Sequence, residues 1–263
     1  MKHFLLPDFK ESRGPVTLDK KDTHYIKNVR RYSEGDVFTA VDRDGVIYDA
    51  YVKGFDNKNA VLELRKKLQD IEEARDNIPE IVLYQCLLKG KKMDIVIRQA
   101  TEAGVSAVIP VESEFAVVKI EEGSQMERAE RWRKICSEAI QQSGSTVFPE
   151  IKNAVSLTEV PILCRSTEKT AVSIFFHQKL IENKSLHQYL FPAEEKINII
   201  VGPEGGFSDR EIKYLQDNCF VPAYLGKNVL RAETAALYSI AAVKTILLER
   251  DTWTLTLNRT EKE

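Results

Sequence analysis

Apolar and polar residues follow two different patterns along the chain. Up to about residue 72, short runs that alternate between apolar and polar residues are separated by clusters of Asp, Asn and Gly. Such clusters between alternating runs are typical of β-hairpins, and their spacing predicts a small β-barrel. The three predicted strands are 37–41, 46–52 and 60–64. A helix over 22–30, with Tyr25, Ile26 and Val29 on one face, is expected to close one end of the barrel.

From residue 80 onward, short apolar runs alternate with longer stretches whose apolar residues recur every three or four positions. This alternation predicts parallel strands joined by crossover helices, and therefore an α/β domain. The predicted strands are 81–88, 105–111, 171–176, 197–201 and 221–225. The predicted helices are 93–103, 127–142 and an alanine-rich helix that ends near Arg250. Gly104 and Gly144 are the expected stops of the first two helices.

The boundary between the two patterns is a charged run, 69–77, followed by Pro79, which is the predicted linker. We therefore expect one domain over 1–72, a second over 73–250, and a polar tail over 251–263 to which no role is assigned. The chain contains no internal repeat.

Composition excludes several classes of protein. No apolar run approaches the roughly 20 residues that a membrane span needs, and the N-terminal apolar stretch is too short for a signal peptide. The four cysteines include no Cys-x-x-Cys pair, and the four histidines form no cluster. Buried thiols in a cytoplasmic protein without a metal site are therefore expected. The net charge of −2 gives no support to nucleic-acid binding, which usually leaves a basic surface.

The segment 197–211 carries the strongest signal for a ligand site. A buried strand ends at Gly-Pro-Glu-Gly-Gly, 202–206, and Ser208 with Glu211 then predicts a capping box at a helix start. Proline prevents the strand from continuing as a helix, and the glycines permit positive φ and leave the backbone open to a ligand. A strand, an open loop and a capped helix are where α/β proteins commonly bind a ligand. A tight turn without a ligand is the alternative, and this segment alone does not decide between them.

A second loop, 225–231, again follows an apolar strand and precedes the alanine-rich helix. No Gly-x-Gly-x-x-Gly follows a strand, and neither Gly-Lys pair has the earlier glycine of a P-loop, so the common phosphate-binding loops are absent. There is also no Gly-x-Ser-x-Gly nucleophile elbow.

Taken together, Gly-Pro-Glu-Gly-Gly and the Leu-Arg-Ala-Glu-Thr-Ala of 230–235 resemble the SPOUT family of RNA methyltransferases. The resemblance covers most of the chain in the right order, through 24–30, 89–93, 102–105 and 142–144. It implies a PUA-like RNA-binding β-barrel, followed by a SPOUT domain whose parallel sheet carries a C-terminal trefoil knot. It also implies a homodimer that completes the site.

Within that family, the resemblance is closest to enzymes that use S-adenosylmethionine to methylate N3 of a uridine in small-subunit ribosomal RNA. Ribosomal RNA or the small ribosomal subunit is then the expected partner. Two alternatives stay open: a SPOUT methyltransferase that acts on another RNA position, and a non-catalytic RNA-binding or ribosome-assembly factor. The implied cofactor-binding residues are Gly202, Pro203, Glu204, Gly205, Gly206, Leu225, Gly226, Val229, Leu230, Thr234 and Ala235.

Methyl transfer to a ring nitrogen of uridine needs an aligned methyl group, loss of the N3 proton, and stabilisation of the charge that develops on the carbonyl oxygens. Arg231 is the candidate for the last role because its guanidinium is a planar fork of donors. Glu233 could take the proton or orient Arg231. The alternative for both is an ordinary charged pair at a helix start. For Thr234, a hydroxyl that caps the first turn is favoured over a reactive group.

Two basic clusters are the expected RNA contacts on the strength of the resemblance, although such clusters alone more often form an ordinary solvated surface. They are Lys27, Arg30 and Arg31 in the first domain and Lys89, Lys91 and Lys92 in the second.

The chain departs from the family pattern at four positions. Phe115, Ser145 and Asn228 stand where the family has arginine, and Gln141 stands where it has glutamate. The loss of these guanidiniums is expected to weaken RNA binding or the stabilisation of the transition state. It should not weaken cofactor binding, because the cofactor loops are intact. We therefore expect substrate contacts to have shifted, with Lys119 and Lys227 as candidates.

Overall fold

The computed structural model describes residues 3–7, 15–56, 59–67, 78–119, 125–165, 170–182, 184–191 and 195–260, with the backbone alone after 250. The chain divides into two compact units, Met1–Arg75 with Ser137–Phe148, and Asp76–Cys136 with Pro149–Glu263. The predicted linker 69–77 lies outside the described residues.

The N-terminal unit is built on a five-stranded sheet in the order β1-β3-β4-β5-β2. Its elements are β1 Phe4–Leu5, β2 Val16–Thr17, α1 Lys20–His24, a π-helical segment Tyr25–Val29, β3 Val37–Val41, β4 Ile47–Asp56 and β5 Asn59–Lys66. The antiparallel strands β3, β4 and β5 are the three that the hairpin pattern predicts. Buried apolar residues of the sheet pack together with Leu18 and Ile26, which form the core of this unit.

The predicted helix over 22–30 is confirmed, but its second half has a wider turn than expected. Arg30 N–H donates to the Tyr25 carbonyl at 2.9 Å, a bond between residues five apart that defines a π-helix. The wider turn moves Val29 away from the buried face, so its side chain is 60% exposed although the pattern groups it with Ile26. Arg31 follows in a left-handed conformation, with φ of 60°.

From residue 80 onward, strands and helices alternate as predicted. The elements are β6 Glu80–Cys86, α2 Lys92–Glu102, β7 Ala107–Glu112, α3 Gln125–Ser143, β8 Glu150–Ile151, β9 Val155–Ser156, α4 Val160–Arg165, β10 Ala171–His177, α5 Leu186–Leu190, β11 Lys196–Val201, α6 Asp209–Asp217, β12 Val221–Tyr224 and α7 Ala232–Thr260. Gly104 and Gly144 follow α2 and α3 with φ of 81° and 79°, which confirms them as helix stops.

The last helix, α7, extends to Thr260, so the prediction that it ends near Arg250 is wrong. No glycine or proline stands between residues 250 and 260 to stop it. The helix therefore includes residues 251–260 of the predicted polar tail.

The second sheet is parallel throughout, with the order β12-β10-β11-β6-β7-β8 and β9 as a further neighbour of β7. All six residues of β11 are buried, as expected for a strand between two parallel neighbours. Val201 at its carboxyl end pairs with Phe176 of β10 and Gln85 of β6, and Phe176 also pairs with Ala223 of β12. The loops that follow these four strands therefore begin at one edge of the sheet.

Candidate active site

The loop after β11 is a tight turn. Gly206 N–H donates to the Pro203 carbonyl at 2.9 Å, and Gly206 has a φ of 72°, as the sequence predicts. Gly205 is needed for a different reason. A Cβ atom at Gly205 would lie 2.9 Å from the Cβ of Phe115, closer than two carbon atoms can approach. Gly206 thus provides the left-handed backbone conformation, and Gly205 provides the space that Phe115 occupies.

The end of this loop is attached to α6 and to the segment that follows β7. The predicted capping box is confirmed, because Ser208 and Glu211 each hydrogen-bond the backbone of the other. The Glu211 carboxylate also accepts from Glu114 N–H at 2.8 Å, and Ser208 Oγ donates to Glu114 Oε2 at 2.7 Å. Two glutamates and one serine therefore hold the loop at its C-terminal end.

The middle of the loop is held by Glu204. Its Oε1 accepts from Lys92 Nζ at 2.7 Å and from Lys89 N–H at 3.3 Å. Burial raises the pKa of the Glu204 carboxyl, but the hydrogen bonds from Lys92 and from backbone amides outweigh burial, so this pKa lies below its usual value. Lys92, predicted as an RNA contact, is thus paired with a carboxylate, while Lys89 and Lys91 are exposed.

The second loop, 225–231, follows β12 at the same edge of the sheet. Gly226 has a φ of 118°, and the Val229 side chain is 74% exposed. The Arg231 carbonyl accepts from Ala235 N–H at 2.8 Å as α7 begins. This loop therefore presents backbone and two apolar side chains, Val229 and Leu230, beside the first loop.

A cavity of about 390 Å³ lies between the two loops, within the range of about 300–1,000 Å³ typical of small-molecule sites. Nine of the predicted cofactor-binding residues line it, and these are Gly202, Pro203, Glu204, Gly206, Leu225, Gly226, Val229, Leu230 and Ala235. Gly205 instead faces Phe115, and Thr234 is an exposed residue of α7; neither lines the cavity.

The two predicted catalytic residues have different positions. Arg231 lines the cavity and is exposed. Glu233 is half-buried and does not line the cavity, and its Oε2 has no hydrogen-bond partner among the described residues. A buried carboxylate oxygen without a partner is an acceptor available to a neighbouring side chain.

Sequence reasoning missed three residues at the carboxyl end of β10, Phe176, His177 and Gln178, which also line the cavity. His177 Nδ1 accepts from Lys179 N–H at 3.1 Å, which fixes the ring beside the opening. The missing signal is the strand order. The sequence predicts β10 but does not reveal that it lies between β11 and β12.

The first basic cluster lies on the surface of the N-terminal unit. Lys27 Nζ is 4.8 Å from the centroid of the Phe55 ring, and the Arg30 guanidinium is 5.8 Å from that of Tyr32. Lys27, Arg30 and Arg31 are all exposed. Exposed cations beside aromatic rings are compatible with RNA contact.

The positions that depart from the family pattern are divided between the cavity and other parts of the chain. Asn228 lines the cavity, and Phe115 covers Gly205. Ser145 Oγ accepts from Val147 N–H at 3.1 Å in a local turn. Lys119 and Lys227, the proposed replacements, are exposed.

Three of the four thiols are buried, as predicted, whereas Cys219 is exposed, which corrects the expectation for that residue. Burial raises the pKa of the Cys86 thiol to about 12. None of the described helices has the length and apolar character needed to cross a bilayer. Within the same residues, no three His, Cys, Asp or Glu side chains are grouped as metal ligands would be.

Comparison with known proteins identifies both parts of the chain. A family model for an RNA methyltransferase domain matches residues 75–244, and one for an RNA methyltransferase PUA domain matches residues 18–65. The chain is 31% identical to ribosomal RNA small subunit methyltransferase E 2 of Borreliella burgdorferi over 233 residues, 88% of this chain and 91% of that protein. It is 28% identical to the corresponding methyltransferase E of Bacillus subtilis over 245 residues, 92% of this chain and 94% of that one.

Two solved structures share the whole fold. One is a ribosomal RNA small subunit methyltransferase E from Neisseria gonorrhoeae bound to S-adenosyl methionine, with 26% identity, a TM-score of 0.79, and coverage of 94% of this chain and 98% of that one. The other is a putative methyltransferase from Legionella pneumophila in complex with the bound cofactor SAM, with 26% identity, a TM-score of 0.78, and coverage of 93% and 97%. The resemblance seen in the loop motifs is confirmed, and the chain belongs to the RNA methyltransferase family that combines this catalytic domain with an N-terminal PUA domain.

Proposed function

We propose that this protein transfers a methyl group from S-adenosylmethionine to N3 of a uridine in small-subunit ribosomal RNA. The observation that carries the proposal is the cavity lined by loops 202–206 and 225–231. Relatives named ribosomal RNA small subunit methyltransferase E match about nine-tenths of the chain, and two structures of the same fold contain S-adenosylmethionine.

The chemistry of the cavity fits this cofactor. Three lining residues, Gly202, Gly206 and Gly226, have no side chain, so backbone amides and carbonyls are open to the edge of an adenine ring. Val229 and Leu230 provide apolar surface for its faces. When bound, the cofactor supplies a methyl group activated by its sulfonium.

The chain's own residues then have distinct roles. Arg231 donates hydrogen bonds to the uridine carbonyl oxygens, where negative charge develops as the N3 proton leaves. The unpaired Oε2 of Glu233, which is buried outside the cavity lining, accepts a hydrogen bond from Arg231, which it would then orient. Phe176 and His177 close the cavity on the β10 side and limit the access of water.

RNA binding is assigned to the exposed cations Lys27, Arg30 and Arg31 of the PUA-like domain and Lys89 and Lys91 of the methyltransferase domain. Each phosphate contact to a single strand contributes about −0.7 to the slope of log affinity against log salt. The affinity for RNA should therefore fall steeply as salt rises.

Four further features are proposed together with this function. The domain boundaries are those of the sequence pattern, 1–72 and 73–250, and the sheet carries the SPOUT trefoil knot. A homodimer completes the site, and the exposed apolar side chains of Val229 and Tyr238, 74% and 52% accessible, support such a contact. The protein is expected in the cytoplasm, where ribosomal RNA is found.

The test is transfer of labelled methyl groups to small ribosomal subunits from a strain that lacks this protein, followed by mapping of the modified base. We expect label at N3 of one uridine. Label at another RNA position would identify the alternative SPOUT enzyme, and cofactor binding without transfer would identify a non-catalytic assembly factor.

The role of Arg231 is tested separately. Arg231→Ala should lower turnover about 100-fold or more, as loss of a donor to a developing oxyanion does, with cofactor affinity largely retained. Arg210→Ala, which removes an exposed arginine from α6 outside the cavity lining, is the matched control and should leave turnover unchanged. Equal turnover in the two variants would refute the role assigned to Arg231.

A further inference from the structure

An ion pair joins the cofactor loop to the segment that follows β6. Lys92 Nζ and Glu204 Oε1 are 2.7 Å apart, with 37% and 33% of the side chains accessible, and both residues line the cavity. The residues are 112 positions apart in sequence but lie at the carboxyl ends of the adjacent parallel strands β6 and β11. The pair is therefore a tertiary contact at the edge of the cavity.

Other hydrogen bonds attach loop 202–206 at its two ends. At the start, Gln85 Nε2 donates to the Val201 carbonyl at 3.4 Å. At the end, Gly206 N–H donates to Pro203, and the capping box of α6 follows. Glu204 stands between these attachments, and its side chain is held by the bonds from Lys92 and from Lys89 N–H.

Lys92 stands at the start of a helix that packs into the core. It is the first residue of α2. Two other residues of that helix, Met93 and Val96, are buried in the core, with 3% and 1% of their surface exposed. The ammonium group that pairs with Glu204 therefore extends from a helix that is anchored in the core.

We propose that Lys92 is a positioning residue that acts through Glu204 to keep loop 202–206 in the shape that admits the methyl donor, and that it is not a phosphate contact. The proposal rests on the proposed function, because it assigns a role in the cofactor site of that function. A loop already held in its bound shape loses less conformational entropy when the ligand binds, so the pair raises affinity for the donor without touching it. RNA contact in this segment is left to Lys89 and Lys91, which are exposed.

The experiment compares Lys92→Met, Glu204→Gln, the double variant and Lys92→Arg, by calorimetric titration of the full-length protein with S-adenosylmethionine. Each single variant should bind the donor roughly fivefold more weakly, the upper range for a partly exposed ion pair. The double variant should bind no more weakly than either single variant, because both remove the same interaction. Lys92→Arg keeps the charge and should retain most of the affinity.

Lys213→Met is the matched control, since it removes another exposed ion pair, with Asp217 on α6, outside the cavity lining. Its donor affinity should equal that of the wild type. Thermal melting without donor checks that the variants remain folded, and the slope of RNA affinity against salt should be the same for Lys92→Met and wild type.

Two results would overturn the proposal. One is Lys92→Met binding the donor as tightly as wild type. The other is a slope of RNA affinity against salt that is smaller for Lys92→Met than for wild type by about 0.7, which would make Lys92 a phosphate contact. If the wild type itself binds no S-adenosylmethionine, both the proposed function and this inference fail. If wild type and variant bind it equally well, only this inference fails.

Discussion

At the scale of the residue, the turn after β11 depends on the space that Gly205 leaves for Phe115. Gly205→Ala places a Cβ atom 2.9 Å from the Phe115 Cβ, an atom fixed to the backbone, so one of the two segments must move. We expect a loss of about 1–3 kcal/mol in the free energy of unfolding, the usual cost of adding a methylene to a packed site. Urea denaturation measures it.

Gly206→Ala is the comparison for that variant. The space around Gly206 is open, so the added Cβ causes only the strain of a left-handed φ of 72°, about 1–2 kcal/mol. The two variants should also differ in structure, because only Gly205→Ala displaces Phe115. A Gly205→Ala protein as stable as wild type would show that the Phe115 segment moves away without cost.

Single residues show where sequence reasoning succeeds and fails. Gly206 and the Ser208–Glu211 pair were predictable because their conformations depend on neighbours in the chain. The exposure of Cys219 and the pairing of Lys92 with Glu204 were not, since they depend on residues brought together by the fold. Gly205 was expected to provide positive φ and to line the cofactor site, but it does neither, and its close contact with Phe115 is visible only in three dimensions.

At the scale of the element, the start of α6 depends on Ser208. Ser208→Ala removes the acceptor for Glu211 N–H and the donor to Glu114 Oε2. Loss of an N-cap costs about 1 kcal/mol, and loss of the additional hydrogen bond to a charged group makes about 2 kcal/mol the expected total. Urea denaturation should show this decrease, together with weaker donor binding, because α6 holds the end of loop 202–206.

Ser185→Ala is the matched control, because Ser185 also heads a capping box, with Gln188, on the five-residue helix α5. That helix contributes no residue to the cavity lining. The control should lower stability by about 1 kcal/mol and leave donor affinity unchanged. Equal donor affinity in both variants would mean that the start of α6 does not support the loop.

Periodicity predicted most elements to within about two residues, because apolar spacing records which face is buried. Prediction from periodicity failed where the helix geometry departs from the standard 3.6 residues per turn and where a helix continues without a sequence signal for its end. The π-helical turn at Tyr25–Val29 moves Val29 off the face that a period of 3.6 assigns to it, and α7 continues through residues without a stop signal. The order β12-β10-β11-β6 could not be predicted, since all parallel strands have similar apolar runs.

At the scale of the whole molecule, strand order determines which loops meet. β10 lies between β12 and β11, so Phe176, His177 and Gln178 at its carboxyl end lie between the two glycine-containing loops. Loops at the carboxyl ends of parallel strands are the usual ligand site of α/β folds, and here three adjacent strands contribute to a single cavity. None of the described residues of the N-terminal unit lines the cavity.

Hydrogen exchange across the full chain tests whether S-adenosylmethionine binds in this cavity. With S-adenosylmethionine at 100 times its dissociation constant, binding stabilises the bound state by about 2.7 kcal/mol, so amides that exchange only when the site opens should exchange about 100-fold more slowly. Protection should be concentrated in loops 202–206 and 225–231 and at the end of β10, whose residues line the cavity. Strands β3, β4 and β5 serve as the internal control and should exchange at unchanged rates. Protection concentrated in those strands, with both loops unaffected, would place the donor away from the cavity and contradict the assignment.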